Sequence, residues 1–127
     1  MKYAVLIDDD AVTNFINTRI LLKSQLVDRV HSIESTEEAL RYFEAISVGK
    51  EPIPFLVLVD IRMPVMDGFM LTDEIFARHP SLIGESFFFF LSSSLNPKDE
   101  ERAKANAFCN GFLRKPLSMA CLEDIMR

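Results

Sequence analysis

Three aspartates stand in a row, Asp8-Asp9-Asp10, directly after the apolar run from Tyr3 to Ile7. A fourth, Asp60, follows the apolar run from Phe55 to Val59 and opens into Met63-Pro64 and Asp67-Gly68. Two serines, Ser92 and Ser93, follow "FFFFL", and Lys115 follows the short run from Gly111 to Arg114. Carboxylates gathered in one place repel each other, and a hard cation among them removes that cost. Oxygen donors with room for water suit Mg²⁺. A lysine at the same rim can meet a phosphate as a point charge, and a hydroxyl can hydrogen-bond a phosphoryl oxygen. A carboxylate nucleophile, a cation, an ammonium and a hydroxyl are together the parts of phosphoryl-transfer chemistry.

These residues are far apart in sequence, so the fold must gather them. The apolar runs from Tyr3 to Ile7, Val27 to Ile33, Phe55 to Val59, Phe87 to Leu91 and Gly111 to Arg114 read as five strands. Helical spacing lies between them. Val12, Phe15, Ile16 and Ile20 mark the first helix. Ser35 and Glu38 form a capping-box pattern before Ala39, Leu40, Phe43 and Ile46, with Gly49 as the stop. Asp67 can cap a helix that carries Phe69, Leu71, Ile75 and Phe76 and ends before Pro80. Asn96-Pro97 opens a fourth helix through about Ala107, and a last helix runs from Ser118 onward. This alternation predicts an α/β fold, a doubly wound parallel sheet with helices on both faces. Chemistry in such folds collects beyond the carboxyl ends of the strands. Asp8, Asp9, Asp60, the serines and Lys115 all fall there.

The remaining composition narrows the classes. The 127 residues are 49% apolar, which suits one folded domain over residues 1–127. A net charge of −5 argues against nucleic acid as a partner. The start "MKYAVLIDDD" is too short and too acidic for a secretory signal, and no apolar run reaches membrane-spanning length. Two distant cysteines, Cys109 and Cys121, fit a reduced, cytoplasmic chain.

Four segments, "LIDDD", "VDIRMPVMDG", the hydroxyl after "FFFFL", and "FLRKPL", make the chain resemble the receiver domain of two-component response regulators along its whole length. The resemblance implies a flavodoxin-like sheet in strand order 2-1-3-4-5. It implies Asp60 as phosphoacceptor and Mg²⁺ held by Asp8, Asp9, Asp60 and the backbone carbonyl of Arg62. It implies Lys115 as the phosphoryl contact, aimed inward by a cis bond to Pro116, and Phe112 at the switch aromatic position without a tyrosine hydroxyl. The switch hydroxyl is Ser92 by its place directly after the strand. An ungapped count back from Lys115 picks Ser93, and one extra residue in "NAFCNGF" restores Ser92. The implied partners are a sensor histidine kinase or phosphotransfer domain and a downstream protein docking on the fourth helix, fifth strand and fifth helix. Such a chain signals and is not an enzyme.

Plainer roles fit the other polar residues. Asp10 and Asp67 read as helix caps, and His31 and His79 as solitary surface or strand-end residues. The phenylalanines read as core, the cysteines as inert, and Met63 and Met66 as packing under the site loop. Two rival functions remain. A haloacid-dehalogenase-type phosphatase needs a second aspartate two residues after the nucleophile, and Arg62 stands there. A receiver-like scaffold without phosphorylation would have no use for Asp8, Asp9, Asp60 and Lys115 together.

Overall fold

The computed structural model describes residues 1–93 and 96–125. Five strands alternate with five helices: β1 Tyr3–Ile7, α1 Ala11–Ser24, β2 Arg29–Ile33, α2 Thr36–Ser47, β3 Leu56–Asp60, α3 Gly68–Arg78, β4 Phe87–Ser92, α4 Pro97–Ala105, β5 Gly111–Arg114 and α5 Met119–Ile125. A short 3₁₀ turn, Pro80–Leu82, follows α3. The strands are parallel, in the order β2-β1-β3-β4-β5. The predicted architecture therefore forms. The last helix is described only to Ile125, and residues 126–127 lie outside the described residues.

Side-chain alternation along the central strands feeds two separate cores. Val5, Ile7, Val57, Val59, Phe88 and Phe90 face Phe43 of α2 and Phe69, Ile75 and Phe76 of α3. Ala4, Leu6, Leu56, Leu58, Phe89 and Leu91 face Leu21 of α1 and Leu122 of α5. Burial on both faces is why these strands read as unbroken apolar runs. Each fully buried Phe or Leu contributes about 2 kcal/mol to holding the strands in place.

Several expectations need correction. Asp60 and Ser92 are the last residues of β3 and β4, not the first residues after them. The ladder continues to the strand ends because Ile61 N–H donates to the Leu91 carbonyl at 3.2 Å and Lys115 N–H to that of Ser92 at 3.0 Å. β2 begins at Arg29, and α4 ends at Ala105. The phenylalanines are not all core: Phe15, Phe87 and Phe108 are exposed. The largest departure is α1. The first part of its apolar stripe faces outward, with Val12 66% and Phe15 63% exposed, while Asn14, Asn17 and Leu21 are buried and Ile20 packs at the edge of the core. His79 is also buried, beside Glu44 of α2 at 3.4 Å. His31 is an exposed strand residue, as expected, with its ring stacked on Tyr42 at 4.8 Å.

The Asp-Gly step after β3 has a steric cause. Gly68 N–H donates to the Ile61 carbonyl at 2.8 Å, which draws the first turn of α3 against the end of β3. A Cβ at Gly68 would collide with the carbonyl oxygen of Asp60 and stand 3.0 Å from Cα of Ile61. The obstacle is backbone, so neither side can move away cheaply. Gly68→Ala is expected to destabilise the fold by about 2 kcal/mol, read as a lower urea midpoint at unchanged slope. A midpoint equal to that of the parent would mean that the contact relaxes freely.

Candidate functional site

The carboxyl end of the sheet gathers side chains from the segment after β1, the end of β3 and the segment after β5. Carboxylate oxygens of Asp8, Asp9 and Asp60 lie within 4.8 Å of one another, with Asp8 and Asp60 buried and Asp9 exposed. Lys115 reaches into the same space. Its Nζ donates to Asp8 Oδ2 at 2.7 Å and stands 3.2 Å from Asp60 Oδ1. The peptide bond between Lys115 and Pro116 is cis, as the resemblance implies.

Local backbone structure fixes each carboxylate. Asp8 N–H donates to the Ile33 carbonyl at 3.0 Å, so β1 and β2 hold its main chain. The Asn14 amide donates to the Asp8 carbonyl at 2.9 Å, and Asp10 N–H donates to Asp8 Oδ1 at 3.0 Å. Asp10 itself caps α1, accepting from Val12 N–H at 3.0 Å and Thr13 Oγ1 at 2.9 Å. Those bonds lower its pKa, the Thr13 hydroxyl most. It is a cap, as read from the sequence. Asp67 likewise caps α3 through Met70 N–H at 2.8 Å. Asp60 sits in the sheet opposite Leu91, and Arg62 N–H approaches its Oδ1 at 3.4 Å.

The electrostatics follow from burial and crowding. Burial first, and the charge of Asp8 second, push the Asp60 carboxyl up to about 6, against the pull of Lys115. Burial acts against the Lys115 ammonium. The hydrogen bond to Asp8 and the charges of Asp60 and Asp8 outweigh it and raise the lysine pKa. An ammonium shared by two buried carboxylates leaves the trio net negative. All-oxygen donors, one of them open to water, suit a hydrated hard cation such as Mg²⁺ better than a soft metal.

The two candidate hydroxyls differ. Ser92 is 1% exposed at the end of β4, one residue beyond Leu91, the partner of Asp60. Ser93 is exposed. Phe112 is half-buried in β5, against the core on the α2–α3 side, with the Arg114 guanidinium 5.5 Å from its ring centre. Met63 and Met66 pack against the same core, beneath the loop after β3. Both cysteines are free, and burial pushes the Cys109 thiol up to about 12.

Sequence reasoning missed two contributors. Asn14 anchors the Asp8 carbonyl from inside α1. Its spacing of three residues from Asn17 and seven from Leu21, one helical face, was the available signal. The Arg62 side chain forms an ion pair with Asp99, in the first turn of α4. No local pattern announces a partner 37 residues away.

Comparison with known proteins gives a consistent answer. The profile of the response regulator receiver domain matches residues 4–127. The chain is 28% identical over 123 residues to the chemotaxis protein CheY of Halobacterium salinarum, covering 97% of this chain and 92% of that protein. It spans only about a fifth of the longer protein-glutamate methylesterases that it also matches. A two-component response regulator from Cytophaga hutchinsonii superposes with a TM-score of 0.89 at 30% identity, covering 99% of this chain and 94% of that one. The receiver domain of a histidine kinase from Arabidopsis thaliana, solved with Mg²⁺ and BeF₃⁻, superposes with a TM-score of 0.78 at 27% identity, covering 98% and 89%. With its five-stranded parallel fold, its acidic trio and its bridging lysine, the chain belongs to the response regulator receiver family.

Proposed function

We propose that this receiver accepts a phosphoryl group on Asp60 from a phosphohistidine donor, in a Mg²⁺-dependent reaction, and signals by a conformational change to a protein partner. The observation that carries this reading is the buried Asp60 carboxylate, within 4.8 Å of Asp8 and Asp9 and 3.2 Å from the Lys115 ammonium. Asp8, Asp9, Asp60 and the Arg62 carbonyl would hold Mg²⁺, which when bound supplies positive charge to the carboxylates and to the phosphoryl oxygens. The Arabidopsis relative solved with that cation supports the choice.

In the transfer, an Asp60 oxygen forms a bond to phosphorus. The phosphorus–nitrogen bond of the donor breaks, and its electron pair returns to the imidazole nitrogen. Lys115 is already beside Asp60 and pairs with a phosphoryl oxygen as charge arrives. Ser92 is the hydroxyl drawn toward the new group, favoured over Ser93 by its place inside the ladder. Arg62, two residues after Asp60, cannot act as acid–base catalyst, so the site receives a phosphoryl group and does not turn over phosphate esters. Signalling, not catalysis, is the output, and a cytoplasmic chain with reduced thiols fits it. Mass spectrometry after incubation with acetyl phosphate and Mg²⁺ should find one added phosphate on the parent chain and none on Asp60→Asn. A phosphate retained on Asp60→Asn would assign the acceptor elsewhere.

The outward stripe of α1 bears on the donor. Val12 and Phe15 lie in the first turns after the acidic cluster, and Ile16, Arg19, Ile20 and Lys23 line a groove further along the same helix. An apolar strip that starts just after the acidic cluster and ends in two cations fits a helix of the donor domain with an acidic far end. Phe15→Ser should slow transfer from a phosphohistidine protein at least tenfold, by the loss of about 1.4 kcal/mol of docking energy. It should leave the acetyl phosphate rate unchanged. Equal slowing with both donors would place the defect in the site itself.

The raised Asp60 pKa also sets a stability signature in Mg²⁺-free buffer. A folded-state pKa of about 6 lies above the unfolded value, so the native state favours the protonated form. That contribution is fully present below the unfolded pKa and is lost as pH rises through about 6. Asp60→Asn should therefore gain on the parent by about 2 kcal/mol between pH 4.5 and 7.5, and saturating Mg²⁺ should narrow the gap. Urea melts across that range check it, and a gap independent of pH would refute it.

A further inference from the structure

Helix α4 has little apolar hold on the sheet. Of its nine residues only Asp99 and Ala103 are buried. Among the described residues, it is also tied by polar and cationic contacts. Arg62 pairs with Asp99, Arg114 meets Glu100 at 3.1 Å, and the Arg102 guanidinium lies 4.3 Å from the ring centre of Phe69. A helix held this way opens at low cost compared with one seated on several large apolar side chains.

Arg62 joins this helix to the acidic site through a single residue. Its amide faces the Asp60 carboxylate, and its guanidinium faces Asp99. The Arg62 side chain is 62% exposed, while that of Asp99 is 12% exposed. The arginine therefore has room to swing and the aspartate does not. Asp99 also sits in the first turn of α4, where the unpaired backbone N–H groups give partial positive charge. That end of the helix compensates part of its charge when the guanidinium leaves.

Resting on the phosphoacceptor reading of Asp60, we propose that Arg62 is a positioning residue that holds α4 through Asp99 in the unmodified receiver. Once a phosphoryl group stands on Asp60, Arg62 exchanges Asp99 for the phosphoryl oxygens, and α4 loses its main tether. The driving chemistry is the preference of a planar guanidinium for a dianion with several acceptor oxygens over a single carboxylate. The coupling is reciprocal. Whatever weakens the hold of Asp99 must strengthen the response of the site to a phosphoryl group, and the reverse.

Reciprocity supplies the test. BeF₃⁻ serves as the phosphoryl analogue, titrated in Mg²⁺ into the full chain and its variants, with hydrogen exchange followed at amides 97–105. In the parent, BeF₃⁻ should speed exchange in α4. Asp99→Asn should exchange fast there already, gain little more on BeF₃⁻ addition, and bind BeF₃⁻ about fivefold tighter because the competitor for Arg62 is gone. Arg62→Gln should also exchange fast in α4 but bind BeF₃⁻ more weakly than the parent, and Arg62→Lys should fall between. A purely structural clamp would move both variants in the same direction. If Asp99→Asn binds BeF₃⁻ no tighter than the parent, the exchange is refuted while the phosphoacceptor reading stands. If the parent binds no BeF₃⁻ at all, both fall together.

Discussion

Three carboxylates at the end of one sheet are an electrostatic liability, and the fold is arranged around meeting it. Two of the three are buried, so water screens them poorly and each raises the energy of the other. The Lys115 ammonium relieves part of this by bridging Asp8 and Asp60. It does so from the far end of the chain, 107 residues from Asp8. The contact therefore exists only when β5 has paired with β4, and β4 with β3. The charge cluster depends on the complete sheet, and the sheet tolerates the cluster because the lysine arrives with its last strand.

The same dependence explains why the strands are so apolar. A carboxylate held near 5% exposure needs a backbone that does not yield toward solvent. β3 supplies that backbone. All five of its residues are buried, between two cores that meet it from opposite faces. Gly68 then lets α3 start directly against the Asp60 carbonyl. The segment around Asp60 is rigid for reasons of packing. Two long cationic side chains border it: Lys115 touches it through charge, and Arg62 meets it through the backbone amide with its guanidinium turned to Asp99. A phosphoryl group arriving here would find a fixed acceptor and movable cations.

Much of this was legible in the sequence, for a physical reason. Strands buried on both faces leave unbroken apolar runs, and polar residues that end such runs share one edge of a parallel sheet. Asp8, Asp60, Ser92 and Lys115 could be placed that way. Caps such as Asp10, Ser35 and Asn96 also depend only on neighbours two or three residues on, so local reading found them. α1 was not legible in the same way. It carries apolar residues around much of its circumference, and the period alone does not say which side packs. The bond from Asn14 to the Asp8 carbonyl turns the asparagine face inward and leaves Val12 and Phe15 outside. Arg62 and Asp99 were invisible as a pair because only tertiary structure brings them together.

The two helices that border the site depart from ordinary amphipathic design in opposite ways. α1 buries asparagines and exposes a phenylalanine. α4 buries an aspartate and one alanine, and presents charge almost everywhere else. Either pattern alone would weaken a helix that served only the core. Each instead leaves a surface whose free energy depends on something outside the helix. For α1 that is an apolar partner to cover the stripe, and for α4 it is the cations supplied by Arg62 and Arg114. The sheet between them is saturated with its own contacts and has little to gain from any change at the site. A change of charge at Asp60 will therefore be felt first where stability rests on charge, which is α4. Contact with an incoming protein will be felt first where stability rests on uncovered apolar area, which is α1. On the function proposed above, input and output surfaces would be separated by the kind of interaction each is short of.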